Sequence, residues 1–294
     1  MDFKKIAISI VGLSILLGGC SFMNHSDEKE KKADDGTTPV ADYKGQGFYL
    51  VDGDKSEPIV KKNEAEIKKR AIAYMKDKYK TNVKVNNVVP ARDAAVVMVE
   101  AEEPIQFHTS VIVGFDMQKK ELDPLPNVWS EEGEVEGAIV GGLYAKAYKQ
   151  EFEKLDTFTK MIAENNGLQG YNNLTIEKTH ANGYEKSNFF ITTSIDFKKT
   201  YEAYLANTNI TEDKLRALFL TEDPKFEHTH MVCNFFTKKD KLPPNEEVEK
   251  IGSKIKRNSA LPKGKYDIVI YKNFIVNRVG LPNGDNISVE DIQK

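Results

Sequence analysis

The chain has 294 residues, 40% hydrophobic and 30% charged, with a formal net charge of −3. That is enough apolar chain to build a core without staples. The mixed, mildly acidic balance excludes the concentrated basic footprint of a nucleic-acid binder, and it gives no polybasic patch for an anionic lipid surface.

Met1-Asp2-Phe3-Lys4-Lys5 forms a short, net positive opening, and residues 6–17 follow without a charged side chain. That run suits the apolar region of a signal peptide. It falls short of the about 20 apolar residues that a membrane-spanning helix needs. Leu17-Gly18-Gly19-Cys20 comes next. An aliphatic residue, two small residues and a cysteine form the pattern cut by lipoprotein signal peptidase. The small residues let the extended backbone fit the protease, and the thiol accepts a diacylglycerol through a thioether. The expectation is a cleaved leader over residues 1–19 and lipid attachment at Cys20. The alternative is a signal anchor, or an ordinary secretory peptide with an incidental cysteine. Each buried methylene contributes about 0.8 kcal/mol, so two acyl chains anchor stably where one is marginal. The expected location is the outer face of a bacterial cytoplasmic membrane, with the acyl chains carrying the attachment.

Cys233 is the other cysteine of the chain. With Cys20 lipidated, no intramolecular disulfide is possible. The local sequence, His230 to Phe236, reads as a strand whose thiol packs rather than reacts.

Residues 20–42 are expected to be the lipidated cysteine and a disordered tether. Residues 21–40 hold eight charged side chains and almost no aliphatic ones, too little apolar surface to offset chain entropy. A flexible chain of that length spans about 25 Å.

From residue 43 the composition changes to that of a folded body, 43–294, with possible lobes 43–128 and 129–294. Residues 47–51 read as a short strand ending in the Asp52-Gly53-Asp54 turn, which lacks the later carboxylates of a calcium loop. Residues 57–79 form a helix, with Ile67, Ala71, Tyr74, Met75 and Tyr79 on one face. Strands follow at 82–89, 94–102 and 107–115. Ser130 reads as the cap of a helix that runs, with a break, to about 163. Trp129 reads as its hydrophobic staple, with ligand stacking as the alternative. Gly141-Gly142 sits inside that helix at about 1 kcal/mol each relative to alanine, which points to a close neighbour or a kink.

Residues 167–185 read as a polar connection. A strand at 188–195, an Asp196-capped helix to 206 and a short helix from Thr211 come next. A strand over 226–237, a helix over 245–257 and a strand over 265–271 follow, and the polar tail after 280 is expected to be loosely held. This order predicts an α+β fold: antiparallel sheets with helices packed on one face, behind the leader and tether.

No G-x-S-x-G, H-E-x-x-H, P-loop or dinucleotide pattern is present, so no catalytic residue and no cofactor are implied. Ser26 and Lys29 match S-x-x-K without its partner motifs. His228-Thr229-His230 is the pair with ligand-like spacing, because alternate strand residues share a face. His108 and His180 are third-ligand candidates by elimination. The plainer reading is two histidines on a solvent-facing strand. Among 45 acidic residues no acid–base couple stands out by spacing.

Two stretches carry a resemblance. One is Tyr43-Lys44-Gly45-Gln46-Gly47-Phe48 with Asp52-Gly53-Asp54-Lys55. The other is Val128-Trp129-Ser130-Glu131-Glu132-Gly133 with Gly141-Gly142-Leu143-Tyr144-Ala145. With the intervening helix and strands, the chain resembles a family of uncharacterised lipoproteins from low-GC Gram-positive bacteria, defined only as a domain of unknown function. The resemblance implies a surface lipoprotein and brings no catalytic residues; Cys20 is the functional position that matches. Two functions follow as expectations. One is a non-enzymatic module, tied to the membrane by diacylglycerol, that binds an envelope protein, peptide or wall component. The other is a surface enzyme of the hydrolase class with a site assembled from distant residues.

Overall fold

The computed structural model describes residues 36–294. The leader, Cys20, the first part of the expected tether and the Ser26–Lys29 match lie outside the described residues. The remainder of that segment belongs to the fold. Strand β1 (Thr37–Pro39) is followed by Val40 and Tyr43, both fully buried. The tether boundary expected at residue 42 therefore moves back: Pro39, Val40 and Tyr43 bring apolar side chains into the fold.

No strand forms at 47–51. The chain turns there, and a single 3-10 turn covers Gly53–Lys55. Helix α1 (Glu57–Tyr79) has Pro58 in its first turn and buries Ile59, Val60, Ile67, Ala71, Met75 and Tyr79. Strands β2 (Lys84–Ala91), β3 (Ala94–Ala101) and β4 (Phe107–Asp116) form an antiparallel meander, to which β5 (Glu121–Leu122) and β6 (Val128–Trp129) add at β4. Every residue of β3 is buried. Ala95, Val97 and Val99 join the main core, while Val96 and Met98 meet Leu50 and Val89 on the opposite face. The unbroken apolar run of β3 over residues 94–99 is the signature of a strand covered on both sides.

Trp129 is a strand residue paired with Ile112, not a staple. Ser130 does not cap the next helix; Gly133, at φ 80°, holds that position. Ser130 Oγ instead bonds the hydroxyls of Tyr79 (2.8 Å) and Tyr74 (3.2 Å). Helices α2 (Glu134–Ala147) and α3 (Lys149–Asn165) are separated by a break at Tyr148, beyond the glycine pair. Close approach explains Gly142. A Cβ on Gly142 would sit 2.8 Å from the Gln106 carbonyl oxygen.

The stretch expected to be a polar connection carries β7 (Leu168–Gln169), α4 (Asn173–Thr179) and β8 (Glu185–Lys186). Strand β9 (Phe189–Thr193) leads to α5 (Lys198–Ala206), capped not by Asp196 but by Glu222. That carboxylate accepts the Lys199 and Thr200 amides at 2.9 Å and the Thr200 hydroxyl at 2.6 Å. Helix α6 (Glu212–Glu222) starts at Thr211 as expected. Strand β10 (Thr229–Thr237), helix α7 (Asn245–Arg257) and strand β11 (Lys265–Tyr271) form a parallel crossover, the one parallel pairing among the described strands. The expectation of antiparallel sheets fails at that pair, because α7 carries the chain back along the sheet and returns it in the same direction.

Strand β12 (Phe274–Val276) pairs with β1 on one side and with β13 (Leu281–Pro282) on the other, in a small antiparallel sheet. The tail is not loose. Strand β14 (Asn286–Gln293) pairs antiparallel with β11 and closes the edge of the second sheet, whose order is β14-β11-β10-β9-β8, with β7 also on β10. A register shift opposite Asp267 is filled by Asp291, at φ 56°, whose amide donates to the Asp267 carboxylate at 2.8 Å. The result is an α+β body. One continuous core includes Ile67, Val97, Tyr144, Met231 and Ile268, so it joins residues from both expected lobes.

Candidate functional site

The histidines named from sequence do not converge. His228 lies just before β10, and its Nδ1 is 3.2 Å from Asp223 Oδ1. The same carboxylate accepts the amides of Glu227 and His228 at 3.0 and 2.9 Å. His230, inside β10, faces Asp267 on β11, with 3.6 Å between Nδ1 and Oδ2. Each imidazole is matched to its own carboxylate. No group of three or more metal-ligating side chains is gathered among the described residues.

His108 and His180 were named only by elimination, yet each is half of a buried histidine–carboxylate pair. Glu100 and His108 are directly opposed on β3 and β4, with Nε2 3.9 Å from Oε1. Asn86 donates to Glu100 at 3.0 Å, and Lys84 lies 3.2 Å away. Burial would raise the Glu100 carboxyl, but these donors, with the charge of His108, hold it below its ordinary value. His108 itself is pushed down by burial, and its Nδ1 has no hydrogen-bond partner.

His180 follows α4, and its Nδ1 lies 2.9 Å from Glu185 Oε1 on β8. Asn182 donates to the other carboxylate oxygen at 3.1 Å, and the His180 Nε2 faces the Gly280 carbonyl at 3.4 Å. Burial opposes protonation of His180, but the Glu185 charge and these two acceptors outweigh it and raise its pKa. Between the two pairs, His108 and Gly183 exchange backbone hydrogen bonds of 2.8 and 2.9 Å. The cluster thus clamps β4 to the segment joining α4 and β8, and through Gly280 to the β12–β13 turn. The side chains of His180 and Glu185 are only 3% and 1% exposed. They are closed to a substrate and act as fasteners.

An open groove of about 330 Å³ runs along α7. Asn166, at the C-terminal end of α3, and Glu247, Lys250, Ser253, Lys254 and Arg257 of α7 give it its polar lining. Val248, Ile251 and Ile255 turn into the core, which leaves the lysines and the arginine on the outer face. None of Lys250, Lys254 and Arg257 makes an ion pair with another described residue. Sequence reasoning missed this groove because it treated 245–257 only as an amphipathic helix; the basic spacing at positions 250, 254 and 257 was its signal. Among the described residues no helix is long and apolar enough to cross a membrane.

Fold and sites together define an α+β protein with a sealed histidine–carboxylate clamp in its interior and an open basic groove on its surface. Its relatives place it more narrowly. The family model described as "Protein of unknown function (DUF1672)" matches residues 30–294, and the chain belongs to that family. The crystal structure of a DUF1672 family protein from Staphylococcus aureus matches with a TM-score of 0.72 at 20% identity, covering 86% of this chain and 97% of that one. At that identity the likeness is one of fold. No curated protein matches the chain.

Proposed function

We propose that the protein is an extracytoplasmic lipoprotein, held on the cytoplasmic membrane by a diacylglycerol on Cys20, whose α+β body is a non-enzymatic binding module for a component of the cell envelope. The observation that carries this reading is Leu17-Gly18-Gly19-Cys20 behind an uncharged run and a positive start. Two features support it. The family match begins at residue 30, downstream of the cysteine, as a body preceded by a separate leader requires. The buried histidine–carboxylate pairs are spent on joining sheets, while the open groove presents unpaired cations suited to holding a ligand.

Fatty-acid labelling with membrane fractionation tests the anchor. The wild-type protein incorporates label and sediments with membranes, and Cys20→Ala incorporates none. Label on the Cys20→Ala variant, or a wild-type protein free of lipid, would refute it.

A further inference from the structure

From the path of the chain between β1 and α7, we infer that the basic groove and the turn after β10 form the membrane-facing surface of the body and dock onto anionic phospholipid headgroups. This rests on the anchored reading above.

The path is continuous in hydrogen bonds. Gly36, the first described residue, accepts the Asn277 amide at 2.9 Å, and Val40 donates to the Asn273 carbonyl at 3.0 Å. The Asn273 side chain donates to the Lys238 carbonyl at 3.3 Å. The Lys238 amide donates to Gly167 at 3.3 Å, and Asn166, next to it, lines the groove. The end of the body that the chain enters from its anchor is thus the end at which the groove opens. Roughly 16 residues separate Cys20 from Gly36, and fully extended they reach at most about 55 Å. The anchor therefore keeps this end within reach of the bilayer.

Charge points the same way. Residues 238–257 hold seven basic and four acidic side chains, a local excess of positive charge in a chain whose net charge is −3. Lys238, Lys239 and Lys241 stand in the turn, while Lys250, Lys254 and Arg257 line one outer stripe of α7. Glu247 is the single carboxylate in the groove. The sequence shows no run of like charge because the turn and the helix interleave acids with bases. The fold turns Val248, Ile251 and Ile255 inward and leaves the cations together. Basic residues near an anionic leaflet attract it over roughly a Debye length, so such a stripe sets orientation once acyl chains supply proximity.

The test uses the full lipidated chain in vesicles, with a fluorophore on Ser253→Cys and quenchers on the headgroups. Cys20 is blocked by lipid and Cys233 is fully buried, so the new thiol labels alone. Quenching is expected in vesicles carrying phosphatidylglycerol, weak in pure phosphatidylcholine and lost in high salt. Reversing Lys250, Lys254 and Arg257 to glutamate lowers the docked population on the order of a hundredfold, to background. Reversing Lys61, Lys68 and Lys69 on α1 leaves it unchanged. Equal quenching in both lipids, or equal loss from both sets of reversals, would overturn the docking. So would undocking by soluble polyphosphate combined with indifference to the lipid charge, which would give the groove to a soluble polyanion. A wild-type protein that fails to stay on either vesicle, and lacks lipid by mass, would instead refute the anchor.

Discussion

The His180 imidazole lies between two acceptors, with Glu185 Oε1 2.9 Å from Nδ1 and the Gly280 carbonyl 3.4 Å from Nε2. The protonated ring donates to both, which is why its pKa is raised despite complete burial. His108 faces Glu100, Glu185, His180 and Glu177, yet burial dominates and lowers its pKa. Stability from His180 is fully present below the ordinary histidine value of 6.5 and is lost as pH rises through its higher folded value. The His108 contribution runs the other way. Below 6.5 the unfolded chain takes up a proton that the folded ring resists, so stability falls with pH. Unfolding in urea across this range should show maximal stability near pH 6.5. His180→Gln removes the alkaline loss and His108→Gln the acid loss. Glu185→Ala, which leaves a buried ring without its counter-charge, costs about 3–5 kcal/mol.

The adjacent glycines of α2, Gly141 and Gly142, are predicted to respond with opposite signs. A methyl on Gly142 meets backbone, the Gln106 carbonyl at 2.8 Å, so Gly142→Ala forces α2 off β4 and costs about 1–3 kcal/mol. A methyl on Gly141 meets its nearest neighbour, the Tyr184 amide nitrogen, at an ordinary 3.6 Å. Gly141→Ala keeps the helix-propensity gain and stabilises by up to about 1 kcal/mol. Thermal unfolding of the two variants checks both.

The glycine pair illustrates what the sequence made legible. A neighbour at Gly141-Gly142 was readable because glycine inside a helix carries a cost that needs a reason; which neighbour was not. Helices α1 and α7 and strands β3 and β11 were read closely because periodic apolar residues or continuous apolar runs mark them. Strand β14 was missed because Ile287, Val289 and Ile292 are separated by polar and acidic residues, and an edge strand leaves those in solvent. The Glu100–His108 opposition follows from the β3–β4 register and was open to inference once the hairpin was drawn. The contact of His180 with Gly280 joins residues 100 positions apart, and nothing local announces it. Ser130 looked like a cap because serine before an acidic pair has that role in isolation, and the Tyr79 hydroxyl claims it through tertiary structure.

Helix α5 depends on a distant carboxylate. Glu222 accepts two first-turn amides and the Thr200 hydroxyl, replacing a local cap. Glu222→Ala should cost about 1–2 kcal/mol, and Asp196→Ala much less. Hydrogen exchange at Lys199 and Thr200 should accelerate in the first variant alone.

Cys233 should be inert in the folded protein. Burial, with the Asp267 charge nearby, pushes its thiol up to about 12, and the side chain has no exposure. Alkylation of the native protein should proceed only at the rate of opening, and at the free-thiol rate in urea. Fast labelling under native conditions would mean that β10 is not packed as described.

The fold explains what the body is made of, and the proposed location rests on Leu17-Gly18-Gly19-Cys20. The most direct test is the mass of the mature N-terminal peptide, taken from the protein extracted from the membranes of its own host. The account predicts a chain that begins at Cys20 and carries a diacylglyceryl thioether on that residue. A chain that retains Met1, or one with a free thiol at Cys20, would contradict it.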